Sequence, residues 1–541
     1  MARTPFMSML RLLAADHAEA ERRGLPVEQI RVERGYRRRD FLKLAGALVG
    51  GTLIHRPHPL FASTPAPRIA IIGGGVSGLN AALTLHDAGY ATTLYESASN
   101  AGGRIHSDTS WANGQVSEWC GELIDSGHAS LQGLAARFGL TLDDLHAAEP
   151  PGSTDTYYFA GNYYSYAEAD LDFVQVLRIL NQQNDGAPFP TLYNSYTPMG
   201  RYLDSLSVYQ WIEKYVPGGH RSKLGMLLDV AYDIEYGAPT TQQSSLNIVY
   251  LLPGPTDDLA LFGASDERYH IRGGNQQLQK AIAAHLPKGT IRFNHRLEVI
   301  AKHHDGSIRL SFRAPAAEGG THTVVADRVI LALPFSVLRN LDYSKAGFDA
   351  LKTTAIRRLG YGTNAKLMLQ FVGRAWTRPG PWGLSNGTSF ADTGYQNSWD
   401  VTRAQPGSTG ILVDYLGSRG ASIKPDQGAE SHSAASPAVR AYAKTFLRQV
   451  EPVYPGLSYD YADAASLSSP KDNPNLRGSY SFWRVGQYTR FSGYEGARQG
   501  RIHFAGEHCS TGFQGYMEGG AEQGARAAQE IIDDHRAGVF P

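Results

Sequence analysis

The chain has 541 residues, 42% hydrophobic and 19% charged, with 51 basic and 51 acidic side chains. That composition suits a globular enzyme of one to three domains, and a formal net charge of zero argues against the basic face of a nucleic-acid binder. Two cysteines, Cys120 and Cys509, exclude a disulfide framework or an all-cysteine zinc site, and a bond between the two is not expected.

At the N-terminus, Leu10 to Arg34 reads as a charged amphipathic helix. Arg37-Arg38-Arg39-Asp40-Phe41-Leu42-Lys43 follows and resembles a twin-arginine export signal, with Arg38 and Arg39 as the pair. The apolar run Leu44 to Ile54 is shorter than the ~20 residues a membrane span needs, so it fits a signal core rather than an anchor. Small residues at Ala62-Ser63 offer a cleavage point. Residues 1–64 are therefore expected to be an N-terminal extension that sends the folded protein to the periplasm or beyond; a tail without export function would leave it in the cytoplasm.

Arg68 to Ile72 reads as a buried parallel strand. Gly73, Gly75 and Gly78 then occupy the three positions of G-x-G-x-x-G, with Val76 and Ser77 between the last two. Leu79 to Ala88 reads as a helix, and a second strand, Ala91 to Tyr95, ends at Glu96. In this order the first glycine permits a tight turn, the second lets backbone approach a pyrophosphate, and the third lets helix pack on strand. The helix N-terminus faces the phosphates, and Glu96 is placed to accept from a ribose. Gly102, Gly103 and Arg104 come next; they read as close backbone passage followed by a charge that neutralises phosphate.

Later segments add to this fingerprint: Glu118 to Asp125 with Gly121 and Glu122, His270 to Leu278, Arg296 to Ile300, Ala326 to Pro334, Arg501 to Glu507, and Gly515 to Gly520. Together they resemble the flavin-containing amine oxidase family, which includes monoamine oxidases, polyamine oxidases and L-amino-acid oxidases, over roughly residues 68 to 535. The resemblance implies an α/β fold in which a Rossmann-like FAD-binding domain is interleaved with an α+β substrate domain. The expected segments are 65–142, 270–345 and 476–541 for FAD, and 143–269 and 346–475 for substrate. It further implies cofactor contacts at Val299 through backbone, at Gly506 and Glu507 on the last strand, and at Tyr516 and Met517 at the start of the final helix.

Gly360 to Phe371 reads as a strand carrying Lys366 among apolar neighbours. Burying that ammonium requires partners; the resemblance gives it a water beside flavin N5 and a role in reaction with oxygen, the alternative being an edge-strand lysine in solvent. Tyr480 and Tyr516 are implied to form an aromatic cage before the flavin, with Trp483 as the alternative wall. The polar, aromatic-rich stretches Tyr157 to Tyr166 and Tyr193 to Tyr209 are either an access path or ordinary packing. Two positions depart from family patterns. Ser479 stands where monoamine oxidases bond the flavin through cysteine, so non-covalent FAD is expected. Ile124 stands about where some L-amino-acid oxidases hold the substrate carboxylate with arginine, which leaves Arg484 as a substitute. No histidine spacing suggests a metal site. The expectation is an amine oxidase that makes an imine and hydrogen peroxide, with an L-amino-acid oxidase giving a 2-oxo acid as the alternative. Its partners would be a small amine or amino acid and O2, without nucleic acid or a stable membrane anchor, and a homodimer is left open.

Overall fold

Four consecutive apolar residues, Ile69–Ile72, are buried in every position. As strand β1 they form the middle of a five-stranded sheet in a computed structural model. The structure describes residues 67–254, 256–426, 430–432 and 436–539; the twin-arginine segment and the rest of 1–66 lie outside them. The sheet runs Ile502–Phe504, Arg328–Leu331, β1, β2 (Thr92–Tyr95) and Ile291–Arg292, with every pairing parallel. β1 has its sequence successor on one side and a strand some 250 residues later on the other. Its carboxyl end is therefore a topological switch point, where open parallel sheets bind ligands.

The glycine motif sits at that end. Helix α1, Val76–Asp87, begins inside the motif rather than after it. A Cβ on Gly78 would lie 1.9 Å from the Gly73 carbonyl oxygen, so only glycine allows the helix to start so close to the strand. The long helix Met517–Arg536 packs across α1: Asn80 Nδ2 donates to the Ala521 carbonyl at 2.8 Å, and Gly524 comes against the backbone of Ser77.

The strand expected over Gly360 to Phe371 is two. Gly360–Tyr361 pairs with Ser481–Phe482, and Ala365–Phe371 joins a different, eight-stranded sheet. Between them the backbone N–H of Thr363 donates to the Gly237 carbonyl at 2.8 Å, and this contact turns the chain. The large sheet runs Glu430–His432, Tyr461–Ser468, Ala365–Phe371, Gly410–Leu416, Asn397–Asp400, Ser385–Ala391, Thr154–Phe159 and Asn162–Tyr164. Strand residues alternate between faces. Leu367, Leu369 and Phe371 enter one core with Leu412 and Ala391, while Lys366, Met368 and Gln370 point the other way.

Helices Tyr166–Gly186, Pro198–Asp204, Val208–Tyr215, Lys223–Tyr236 and Leu246–Leu251 cover this region. Ser165, Thr197, Ser207 and Ser222 cap the first four, each accepting a first-turn N–H. The fourth stops at Gly237, whose φ of 61° is left-handed.

Candidate active site

A cavity of about 760 Å³ starts at the β1 switch point and runs between the parallel sheet and the eight-stranded sheet. At its first end lie Gly73, Gly75, Val76, Ser77, Glu96, Gly102 and Gly103. α1 has no side-chain cap, and the Ser77 hydroxyl is buried without a partner. A helix N-terminus with unclaimed donors is an anion site. Glu96 is fixed by the backbone N–H groups of Gly74, at 2.6 Å, and Ala98, at 2.7 Å. These residues fit the pyrophosphate and ribose of a dinucleotide. Gly78 is not in the lining and serves the strand–helix packing. Val299 is not in it either: it sits at a register shift in a separate four-stranded sheet, paired with Ser311 and Asp342.

Arg104 and Glu507, expected to reach the cofactor separately, are bound to each other at 2.8 Å. Arg104 Nη1 also donates to the Ser479 carbonyl at 2.7 Å. Glu507 accepts from the Ser481 N–H and hydroxyl at 3.2 and 2.7 Å, and from the Gly515 N–H at 2.9 Å. Burial alone would raise the Glu507 carboxyl, but Arg104, His508 and Ser481 hold it below the ordinary range. Both residues line the cavity, with Gly121, Gly506 and Met517. Glu507 thus staples the two segments that carry Tyr480 and Tyr516.

Those two tyrosines do meet at the cavity, with the Gly515 backbone against the Tyr480 ring. The Tyr480 hydroxyl pairs with the Tyr415 hydroxyl at 3.0 Å and donates to the Glu235 carbonyl. Burial pushes the phenols of Tyr480, Tyr516 and Tyr415 far up, so all three are neutral.

Lys366 is on an interior strand, flanked by Gly410–Leu416 and Tyr461–Ser468; the solvent-exposed edge alternative does not hold. It is 6% exposed. Its Nζ donates to Glu122 Oε2 at 2.7 Å, the Cys120 carbonyl at 2.9 Å and the Glu118 carbonyl at 3.3 Å. Glu122 lines the cavity, but its carboxylate is turned to Lys366 and to Trp399 Nε1, at 2.9 Å.

The walls beyond the cage were not anticipated from the sequence. Asp155, Asn386, Thr388, Phe390, Asn397 and Trp399 lie on one face of the large sheet with Tyr415 and Lys366. The period-2 pattern could have revealed that face, had the strand order been known. The Gly237 turn delivers Glu235 and Tyr236 from the helix end, and the loop after Leu261 delivers Glu267. Burial raises Glu235 well above the carboxylate range and Glu267 to about 8. Arg403 also lines the cavity and is held by Glu149 at 2.7 Å.

Several expected residues lie elsewhere. Trp483 packs on Tyr488 and Phe491 in the core. Arg484 donates to Gln242 and lies against the Phe482 ring, outside the lining. Ile124 is buried in the core beside the parallel sheet. No tyrosine of 157–166 or 193–209 lines the cavity; Tyr157 and Tyr164 are core residues, so packing is their role. The two cysteines are not bonded to each other. Among the described residues no cluster suited to a metal ion is found, and no helix is long and apolar enough to cross a membrane.

A family model described as flavin containing amine oxidoreductase matches residues 76–532. A putative L-amino-acid oxidase of Bacillus subtilis (strain 168), YobN, is 25% identical over 499 residues, covering 87% of this chain and 96% of its own. Polyamine oxidase 1 of Zea mays is 22% identical over 500 residues, covering 88% and 92%. Among solved structures, cyclohexylamine oxidase from Brevibacterium oxydans IH-35A aligns with a TM-score of 0.72 at 19% identity, over 87% of this chain and all of that one. Putrescine oxidase bound to putrescine aligns at 0.70 and 20%, over 86% and 99%.

Proposed function

The chain belongs to the flavin-containing amine oxidoreductases, and from that premise we propose that this FAD-dependent amine oxidase acts on a cationic amine rather than on an L-amino acid. The carrying observation is the acidic lining of the cavity. Glu235, Glu267, Asp155 and Asp266 line it, and Arg403, which acts on Glu267 and Asp155, is already occupied by Glu149. The carboxyl-terminal end of helix Lys223–Tyr236 adds its partial negative charge at the cage. Burial holds Glu235 and Glu267 toward their protonated forms in the empty cavity; an arriving ammonium group draws them toward the charged form and pairs with it, whereas a substrate carboxylate pushes them further from it.

Gly75, Ser77, Glu96, Gly102 and Gly103 would hold FAD, which would supply an acceptor for the hydride of the carbon beside nitrogen and a route for the electron pair to O2, so that the products would be hydrogen peroxide and an imine open to hydrolysis. The chain's own residues prepare that event. Tyr480, Tyr516 and Tyr415 are neutral, flat walls that exclude water. Desolvation favours the uncharged amine, whose lone pair supports hydride loss. Lys366, held by Glu122, serves the reaction with oxygen. Twin-arginine export through Arg38 and Arg39 remains part of this proposal, on the strength of the sequence pattern.

The test is Glu235→Gln. It is expected to raise KM for a primary amine by about tenfold, the equivalent of roughly 1.4 kcal/mol, with FAD content unchanged. An unaltered KM for every amine would remove the electrostatic basis of the reading.

A further inference from the structure

A lysine ammonium has three N–H donors, and in this protein each has a protein oxygen within reach: Glu122 Oε2, the Cys120 carbonyl and the Glu118 carbonyl. A water at Lys366 would have to share one of them, and the 3.3 Å contact to Glu118 is the weakest. Two of the three partners are neutral carbonyls. Among the described residues Glu122 is the one ion-pair partner of Lys366.

Glu122 is itself held in a single orientation. Oε2 takes the lysine, and Oε1 takes the indole N–H of Trp399 at 2.9 Å. The Trp399 ring also faces the ammonium, 5.4 Å from its centroid. The other end of the loop is anchored as firmly. The Glu118 carboxylate, fully buried, accepts from the Ser107 hydroxyl at 2.8 Å, from His270 Nε2 at 2.9 Å and from the Asn275 N–H at 2.8 Å. A rigid loop thus presents one carboxylate and two carbonyls to a lysine that arrives from another sheet. All of Glu122, Lys366 and Trp399 line the cavity.

We propose that Glu122 is a positioning residue for the oxygen reaction: it aims the Lys366 ammonium, and Trp399 keeps Glu122 in place. The proposal rests on the reading that Lys366 serves that reaction. The physical reason is that a nearly buried ammonium needs partners, and a carboxylate in contact holds it more strongly than neutral carbonyls do. Without Glu122 the lysine keeps its strand position but loses its counter-charge, and with it the contact that docks it on the loop.

Stopped-flow reoxidation of the reduced holoenzyme by O2, beside the rate of flavin reduction by substrate, tests this on Glu122→Gln, Lys366→Met and the double variant. Glu122→Gln is expected to slow reoxidation by about tenfold or more, the scale of losing one aimed charge, and to change the reductive rate much less. Lys366→Met is expected to be at least as slow in reoxidation, and the double variant no slower than it. Unfolding midpoints supply a second readout: Glu122→Gln is expected to destabilise the protein, and adding Lys366→Met to restore part of the loss. Should Glu122→Gln fold poorly, Glu122→Asp, which keeps the charge, is expected to recover part of the reoxidation rate. Wild-type reoxidation by Glu122→Gln, or a slowing that adds to that of Lys366→Met, overturns the positioning role. Wild-type reoxidation by Lys366→Met overturns instead the reading on which it rests.

Discussion

Glu507→Gln probes how the cage is assembled. The substitution keeps shape and removes one charge. Four donors converge on the native carboxylate: Arg104 Nη1 and the Ser481 N–H on Oε1, the Ser481 hydroxyl and the Gly515 N–H on Oε2. Whichever way the amide is turned, its NH2 faces two of these, and Arg104 loses its counter-ion. Breaking a buried pair by removing one partner costs about 3–5 kcal/mol. Unfolding a unit the size of Pro67–Pro541 carries an entropy on the order of 1 kcal/mol per kelvin, so the loss corresponds to a melting shift of about 3–5 °C. The same change loosens the segments carrying Tyr480 and Tyr516, so FAD content after gel filtration should fall with it. The pH dependence is specific. The folded carboxyl lies below its ordinary value, so its contribution is present at neutral pH and lost as pH falls through the folded value. The gap between wild type and variant should therefore close in acid. Calorimetry across pH with flavin quantitation measures both. An unshifted melting temperature at neutral pH, or a gap that persists unchanged in acid, would refute the stapling role.

Because Ser479 cannot form a thioether and its hydroxyl donates to Asn364 Oδ1 at 2.6 Å, acid or heat precipitation should leave yellow flavin in the supernatant; colour retained by the pellet would contradict non-covalent binding. Burial raises the Glu495 carboxyl to about 8; for an acid raised in this way the stabilising contribution is present below its unfolded value and lost as pH climbs to the folded one. Glu495→Gln should therefore melt progressively higher than wild type as pH passes from about 5 to 8, and equal melting at alkaline pH would count against it. Changing Arg38 and Arg39 together to lysine should hold the protein in the cytoplasm of an exporting host, as fractionation would show; unchanged export would reject the twin-arginine assignment.

The half of the molecule built from local order was legible in the chain. A strand, a glycine turn, a helix and a terminal acid are consecutive in sequence, so Gly73 to Glu96 could be read as one unit with its ligand chemistry attached. Lys366, Tyr480 and Tyr516 were found through their surrounding motifs, and the fold does bring them to one cavity. The cavity's other walls come from register rather than from motif. Phe390, Asn397 and Tyr415 share a face through antiparallel register, and Asp155 joins them only because a parallel pairing inserts Thr154–Phe159 beside Ser385–Ala391, which no local pattern encodes. Trp483 and Arg484 failed for the same reason in reverse. They stand beside Tyr480 in sequence, yet the short strand Ser481–Phe482 carries them past the cavity and into the core or toward Gln242. Arg104 and Glu507 were each given to the cofactor, because an ion pair spanning 403 residues is invisible until the sheets are assembled.

The central claim is that the acidic cavity selects amines. Peroxide release by the purified, FAD-loaded protein should be measured over primary monoamines, diamines, polyamines and L-amino acids under one set of conditions. Turnover of amines, with L-amino acids inactive or far slower, is the predicted result. Turnover confined to free L-amino acids would contradict it: the acidic walls would then not set specificity, and a cation such as Arg403 would have to leave Glu149 to hold the substrate carboxylate.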